Sequence, residues 1–183
     1  MKRHLLSLTI SLLTISASSQ KYFTKTGIIS FEASTALEDV SATNKSATSV
    51  IDAASGKLEF AVLIKGFEFG KDLMQEHFNE NYMESTQYPK ATFKGVFAQD
   101  GLINFQKPGS YPATVKGTIT IHGVQKEITA TGIIKVTSQG LQISSKFSLS
   151  VNDFKIAIPG IVKDKISPIA KVSVNGNYLP LNK

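Results

Sequence analysis

Few side chains in this 183-residue sequence could do chemistry, and their spacing is poor for it. The three histidines are His4, His77 and His122, and there is no cysteine at all. His77 and His122 stand too far apart for a local ligand motif, and no His-Glu-x-x-His spacing occurs, so no metal site is expected. The lack of cysteine removes a thiol nucleophile, a disulfide framework, a cysteine metal site and a lipidated N-terminal cysteine. No Gly-x-Ser-x-Gly elbow, phosphate loop or dinucleotide fingerprint is present, and no cofactor is expected. Asp153 is too isolated for a paired-carboxylate mechanism. Beside Phe154 it is expected to cap a neighbouring loop's amides, with a ligand's polar group at the end of a strand as the alternative. His77 falls on an apolar stripe and should be partly buried; His122 falls in a turn and should be exposed.

The elements that would hold these residues start after a segment of another kind. Lys2, Arg3 and His4 precede an apolar run from Leu5 to Ile15 and the small residues Ser16 to Ser19, the pattern of a secretory signal peptide over 1–20. The run is shorter than the roughly 20 residues of a membrane-crossing helix, and no second such run follows. Ala17-Ser18-Ser19 is the best cleavage signal, which leaves one domain, 21–183, for the cell envelope or beyond. The formal charge of +6 falls by two with Lys2 and Arg3. The remaining lysines are scattered singly, as on a solvated surface rather than a nucleic-acid patch.

Period-2 alternation of β-branched and aromatic residues dominates the rest, broken by Gly, Asp, Asn and Ser clusters. Phe23, Gly27, Ile29 and Phe31 are expected on one face of a first strand. A weaker strand spans Ser41 to Ile51, and a turn at 52–56 leads into a strand from Leu58 to Phe69. There Leu58, Phe60, Val62 and Ile64 face one way and Ala61, Leu63, Phe67 and Phe69 the other, which demands cover on both sides. Leu73, Met74, His77, Phe78, Asn81 and Tyr82 carry a helical stripe, with Asp72 as the expected N-cap and Gln75 three residues on. This helix is expected to be the outer cover for Phe67 and Phe69.

After Pro89, Phe93, Gly95 and Phe97 form a strand closed by Asp100-Gly101, and a short strand is expected over Leu102 to Phe105. Val115 to Ile121 and Ile128 to Val136 make a hairpin about His122-Gly123. Two more strands carry Leu141 to Val151 and Val172 to Tyr178. Between them runs a loop with a helical turn near Val162 to Lys165. The fold class is all-β with one short helix: an eight-stranded antiparallel sheet, closed into a barrel because an open sheet of that size exposes two edges. Gly27, Gly95, Gly117, Gly132 and Gly176 interrupt the apolar faces of five strands. They either let strands bend at barrel corners or, alternating with Phe23, Phe31, Phe60, Phe93, Phe97 and Phe147, leave an apolar slot. An outer-membrane barrel shares the alternation. The mid-chain helix, the diluting glycines and a chain end without a terminal aromatic argue against it.

Three ordered motifs carry a resemblance. Met74-Gln75-Glu76-His77-Phe78 with Tyr82 and Tyr88-Pro89-Lys90-Ala91-Thr92-Phe93-Lys94-Gly95, then Val115 to Lys126, then Ser150-Val151-Asn152-Asp153-Phe154-Lys155-Ile156, resemble the helix, strand-turn and Asp-Phe-Gly-Ile elements of YceI-like proteins. The match runs from about Thr26 to Tyr178. The resemblance implies a lipocalin-like barrel, exported to the periplasm, that binds a long-chain isoprenoid or fatty amphiphile in its lumen, often as a homodimer. It also implies a ligand-binding set of Phe31, Phe60, Val62, Ile64, Met74, His77, Phe78, Phe93, Phe97, Ile119, Phe147, Asp153 and Phe154. Lys155 stands where the family has Gly, so the chain there should be less able to take positive φ. The expected function is binding, with possible transport or storage, of such a lipid, and no catalysis. The alternatives are a non-catalytic interaction or structural envelope protein with a filled core, and a lipid isomerase or hydrolase using His77 or Asp153.

Overall fold

The computed structural model describes residues 20–98 and 101–181. The expected signal segment, apart from Gln20, lies outside them, as does Asp100 of the expected turn. Nine antiparallel strands follow in the order β1 (Lys21–Glu32), β2 (Ser41–Asp52), β3 (Lys57–Leu63), β4 (Glu68–Phe69), β5 (Lys90–Phe97), β6 (Gly109–Ile121), β7 (Val124–Thr137), β8 (Gly140–Ser150) and β9 (Ile169–Pro180). Neighbours run β1-β9-β8-β7-β6-β5-β3-β2, and β1 pairs again with β2, so eight strands close a barrel with no free edge at the ends of the order. The two-residue β4 resumes the line of β3 along β2, through Ala42 opposite Phe69. One helix, α1 (Asp72–His77), runs into a π-helical turn, Phe78–Tyr82.

Several expected phases shift, each for a local reason. In β1 the buried residues are Tyr22 and Thr24, then Gly27 and Ile29; in β2 they are Ala42 and Asn44, then Ala47, Ser49 and Ile51. The pairing slips between Thr24 and Gly27 and again between Gly27 and Ile29, so facing bulges switch the inward set of both strands. Tyr22 rather than Phe23 therefore points into the core. Asn44 is fully buried at the bulge but satisfied: it donates to the Leu63 carbonyl at 3.0 Å and accepts from the Ser46 amide at 2.8 Å.

Leu63 ends β3, and a 3-10 turn over Ile64–Gly66 resets the phase. Phe67 is consequently buried with Val62 rather than on the opposite face, while Leu63 is 60% exposed. The doubly covered strand does not exist. Lys71, not Asp72, is the N-cap of α1, and Gln75 reaches back to accept from the Phe69 amide at 3.2 Å. Only Met74, Phe78 and Tyr82 of the expected stripe are partly buried; Leu73, His77 and Asn81 are exposed. No strand forms over 102–105, where a loop instead packs Ile103 and Phe105 against the core. The helical turn of the last loop is a 3-10 turn over Gly160–Val162.

At the glycines the missing side chain gives its place to a neighbour. A Cβ on Gly117 or Gly132 would lie 2.2 or 2.3 Å from a carbonyl oxygen of the adjacent strand, closer than any side chain permits. Over Gly95 and Gly176 the vacated space is taken by the rings of Phe93 and Tyr178.

Candidate functional site

Every strand of the barrel except β2 and the short β4 contributes side chains to one continuous interior cavity of about 260 Å³. Its wall comes from Ile29 and Phe31 of β1, Leu58, Phe60 and Val62 of β3, Phe93 and Phe97 of β5, and Val115 and Ile119 of β6. Ile128, Ala130 and Ile134 of β7, Phe147 and Leu149 of β8, and Val172 and Val174 of β9 complete it. The outward positions of β7 and β8 hold Glu127, Thr129, Lys135, Gln142 and Lys146. On these two strands the lumen-facing side chains are apolar and the outward ones mostly polar, with Ile133 the apolar exception. Among the described residues no helix is long and apolar enough to cross a membrane.

The two ends of the barrel are packed differently. One end is a solid floor of Tyr22, Ile51, Leu58, Phe97, Val136, Leu141 and Tyr178, sealed by the loop that carries Ile103 and Phe105. Tyr178 is 1% exposed, and its hydroxyl makes no hydrogen bond of good geometry, with the Ser49 hydroxyl as its polar neighbour. Burial pushes this phenol up to about 12, and the Ser49 hydroxyl lowers it only in part. The Tyr22 and Tyr82 phenols are raised by burial as well. The other end is roofed by an aromatic cluster in which the Phe78 ring lies 5.5 Å from Phe31, 5.8 Å from Phe67 and 5.0 Å from Phe69. The helix therefore does cover Phe67 and Phe69, but at the barrel's end rather than on its flank. Lys71 at the helix start holds Glu38 at 2.7 Å and draws that carboxyl below its ordinary value.

Beside this roof, Ile64, Met83, Ile119, Phe154 and Ile156 pack together, and Phe154 is fully buried. Its position is fixed by His122. That side chain is only 12% exposed; its Nδ1 meets the Phe154 carbonyl at 3.1 Å and its Nε2 meets a Glu84 carboxylate oxygen at 2.7 Å. Both partners can only accept, so both contacts are hydrogen bonds only with a proton on each ring nitrogen. Tyr88 packs edge-on against the imidazole at 4.5 Å. Glu84, His122 and Lys155 are the three non-glycine residues with positive φ among the described residues, and all sit at or next to this junction. Lys155 does take the left-handed conformation, φ 57, although it lacks the freedom of glycine.

Of the thirteen residues expected at the site, Phe31, Phe60, Val62, Ile64, Phe78, Phe93, Phe97, Ile119, Phe147 and Phe154 line the cavity. Met74, His77 and Asp153 do not. His77 and Asp153 are exposed, and Asp153 caps nothing: its side chain makes no hydrogen bond among the described residues. The two histidines thus exchange the environments expected of them. The expected set omits Leu58, Phe67, Met83, Val115, Ala130, Ile134 and Ile156. Alternation already pointed to Val115, Ala130 and Ile134; Met83 and Ile156 lie in irregular segments with no period to reveal them. Among the described residues no three metal-ligating side chains converge.

A family model described as the YceI-like domain matches residues 14–177. The chain belongs to the YceI-like family. Solved structures similar to this YceI-like chain include a polyisoprenoid binding domain from Saccharophagus degradans implicated in plant cell wall breakdown. That domain is 13% identical, with a TM-score of 0.76 over 89% of this chain and 99% of the other. BcnA of Burkholderia cenocepacia is 15% identical, with a TM-score of 0.68 over 81% of this chain and 94% of its own. The Campylobacter jejuni YCEI protein is 19% identical, with a TM-score of 0.54 over the full length of both. At these identities the likeness is one of fold. A comparison with curated proteins returned no match.

Proposed function

We propose that this YceI-like protein binds a long-chain isoprenoid or other amphiphilic lipid, with the apolar tail in the barrel and the polar group in water, and that it catalyses no reaction. The observation that carries this is the cavity: a continuous hollow lined almost wholly by apolar side chains in a closed barrel. A packing defect of that size would cost stability with nothing to fill it. An apolar cavity of roughly 150 Å³ stays dry and accepts a benzene ring, so about 260 Å³ takes roughly ten carbons of a tail by proportion. The Saccharophagus domain of the same fold, described as polyisoprenoid binding, supports the ligand class. The hollow centre supports this reading over the filled-core alternative.

The ten lining residues of the expected set are the proposed tail contacts. His77 and Asp153, both exposed and off the cavity, have no part in it. The signal-like segment supports an address in the periplasm and a role in carrying or storing the lipid there. The test is extraction of protein purified from its native host with organic solvent, followed by mass spectrometry. An amphiphile at close to one molecule per chain is expected. Recovery of none, together with no uptake of a fluorescent fatty acid by the emptied protein, overturns the proposal.

A further inference from the structure

The barrel wall is not uniformly paired. The β7–β8 ladder runs from Thr137 opposite Gly140 only to Gly132 opposite Ser145. Beyond that rung β7 continues to Val124 on its β6 side and β8 continues to Ser150 on its β9 side, so their facing edges are unpaired. The Ser145 hydroxyl donates to the Thr131 carbonyl at 2.7 Å and caps the last rung. At the far end Phe154 packs near Ile128 and Leu149, under the turn that His122 holds. The interval from Gly132 to Ile128 is a window roughly 13 Å tall at the rise of a strand. Three exposed residues line the interior cavity, Thr131, Ile133 and Ser144, and all three flank the foot of this window. All three stand at outward-facing positions of β7 and β8, so at the foot of the window a single layer of strand separates the cavity from solvent.

Next to the foot of the window, on the outer face of the paired part of the ladder, lies a second hollow, of about 370 Å³, which shares Ile133, Ile143 and Ser144 with the cavity. Lys135, Gln142, Asn175 and Asn177 also line it. Asn175 donates to the Ser173 hydroxyl at a long 3.4 Å. An apolar cavity and a hollow lined by hydrogen-bonding side chains, on the two sides of the wall beside the window, suit the two ends of an amphiphile that crosses there.

Resting on the binding function above, we propose that the lipid is loaded sideways through the window between β7 and β8, and that a hydroxyl- or phosphate-bearing head stays in the outer hollow. An end-on route would require the aromatic roof or the Tyr22 floor to unpack. A lateral route requires only that two strand edges, already unpaired, part around a chain about one methylene wide.

The native chain has no cysteine, so a Thr131→Cys/Lys146→Cys pair, one rung beyond the ladder, supplies its sole disulfide. The probe is dansyl-undecanoic acid, and its release to phosphatidylcholine vesicles is followed by stopped flow. Oxidation is expected to slow release about tenfold while leaving the equilibrium affinity within about threefold, and reduction restores the rate. Equal rates in the oxidised and reduced forms overturn the window. If the disulfide does not form, a bulky maleimide on Thr129→Cys at the lip is compared with the same label on Lys94→Cys across the barrel, and equal rates again overturn it. A wild-type protein that takes up no probe counts against the binding function instead. Asn175→Ala/Asn177→Ala is expected to weaken farnesol about fivefold relative to a hydrocarbon of the same length. Equal losses overturn the placement of the head.

Discussion

At the scale of single residues, the junction around His122 concentrates conformational cost. Lys155 pays about 1 kcal/mol or more for its left-handed backbone. Lys155→Gly is therefore expected to raise Tm by about 2–4 °C, read by calorimetry, without changing lipid affinity. His122→Ala removes the side chain that meets the Phe154 carbonyl beside the buried cluster, at a cost of about 1–3 kcal/mol. Urea unfolding should show a lower midpoint at unchanged slope. The Tyr178 phenol gives a pH signature with a definite sign. Its folded value is raised to about 12, so above pH 10 the unfolded chain releases a proton that the folded chain keeps. Stability is complete below pH 10 and falls by roughly 2–3 kcal/mol by pH 12. Tyr178→Phe should shrink that fall to the smaller part contributed by the Tyr22 and Tyr82 phenols, which burial also raises, as alkaline unfolding would show. The sequence flagged Lys155 through the glycine it replaces, but not the His122 junction or the buried Tyr178 hydroxyl. His122 sits in a two-residue hairpin turn that normally exposes its side chains, and its carboxylate and carbonyl partners arrive from distant segments.

At the scale of elements, alternation found the eight long strands and failed where the chain slips phase. The facing bulges at Thr24–Gly27 and near Asn44 change the inward set of β1 and β2, and counting by twos from Phe23 carries straight through them. The 3-10 turn at Ile64–Gly66 does the same to Phe67 and Phe69, which is why one strand looked apolar on both sides. Asn44 is the residue to test. Its amide ties the bulge to the Leu63 carbonyl, and Asn44→Ala should cost about 1–3 kcal/mol with partial exposure of Phe67 in hydrogen exchange. The helix was visible by its stripe, yet its inward face is narrower than the stripe. Over a six-residue helix at the barrel's end only Met74 and the following Phe78 reach the interior side.

For the whole molecule, closure followed from strand number, because eight strands left open expose two edges; the hollow did not. Alternation says which side chains point inward but not whether their volumes fill the lumen. The interruptions at Gly117 and Gly132 turned out to admit a neighbouring backbone rather than a ligand. Ala130→Phe tests the hollow directly, since Ala130 faces it from β7. The added ring should cut uptake of a fluorescent fatty acid more than about tenfold while Tm holds or rises, because it occupies empty space. A fall in Tm of several degrees would mean the lumen is already full. The wall is completed where β9 slots between β8 and β1, so the barrel's final strand in chain order joins its opening one. Any partly folded form that lacks residues 169 onward has no interior, and its greasy face lies open between two sticky borders. Folding should accordingly be slow, in the millisecond-to-second range typical of distant strand pairings, and such intermediates are natural clients for a holding chaperone.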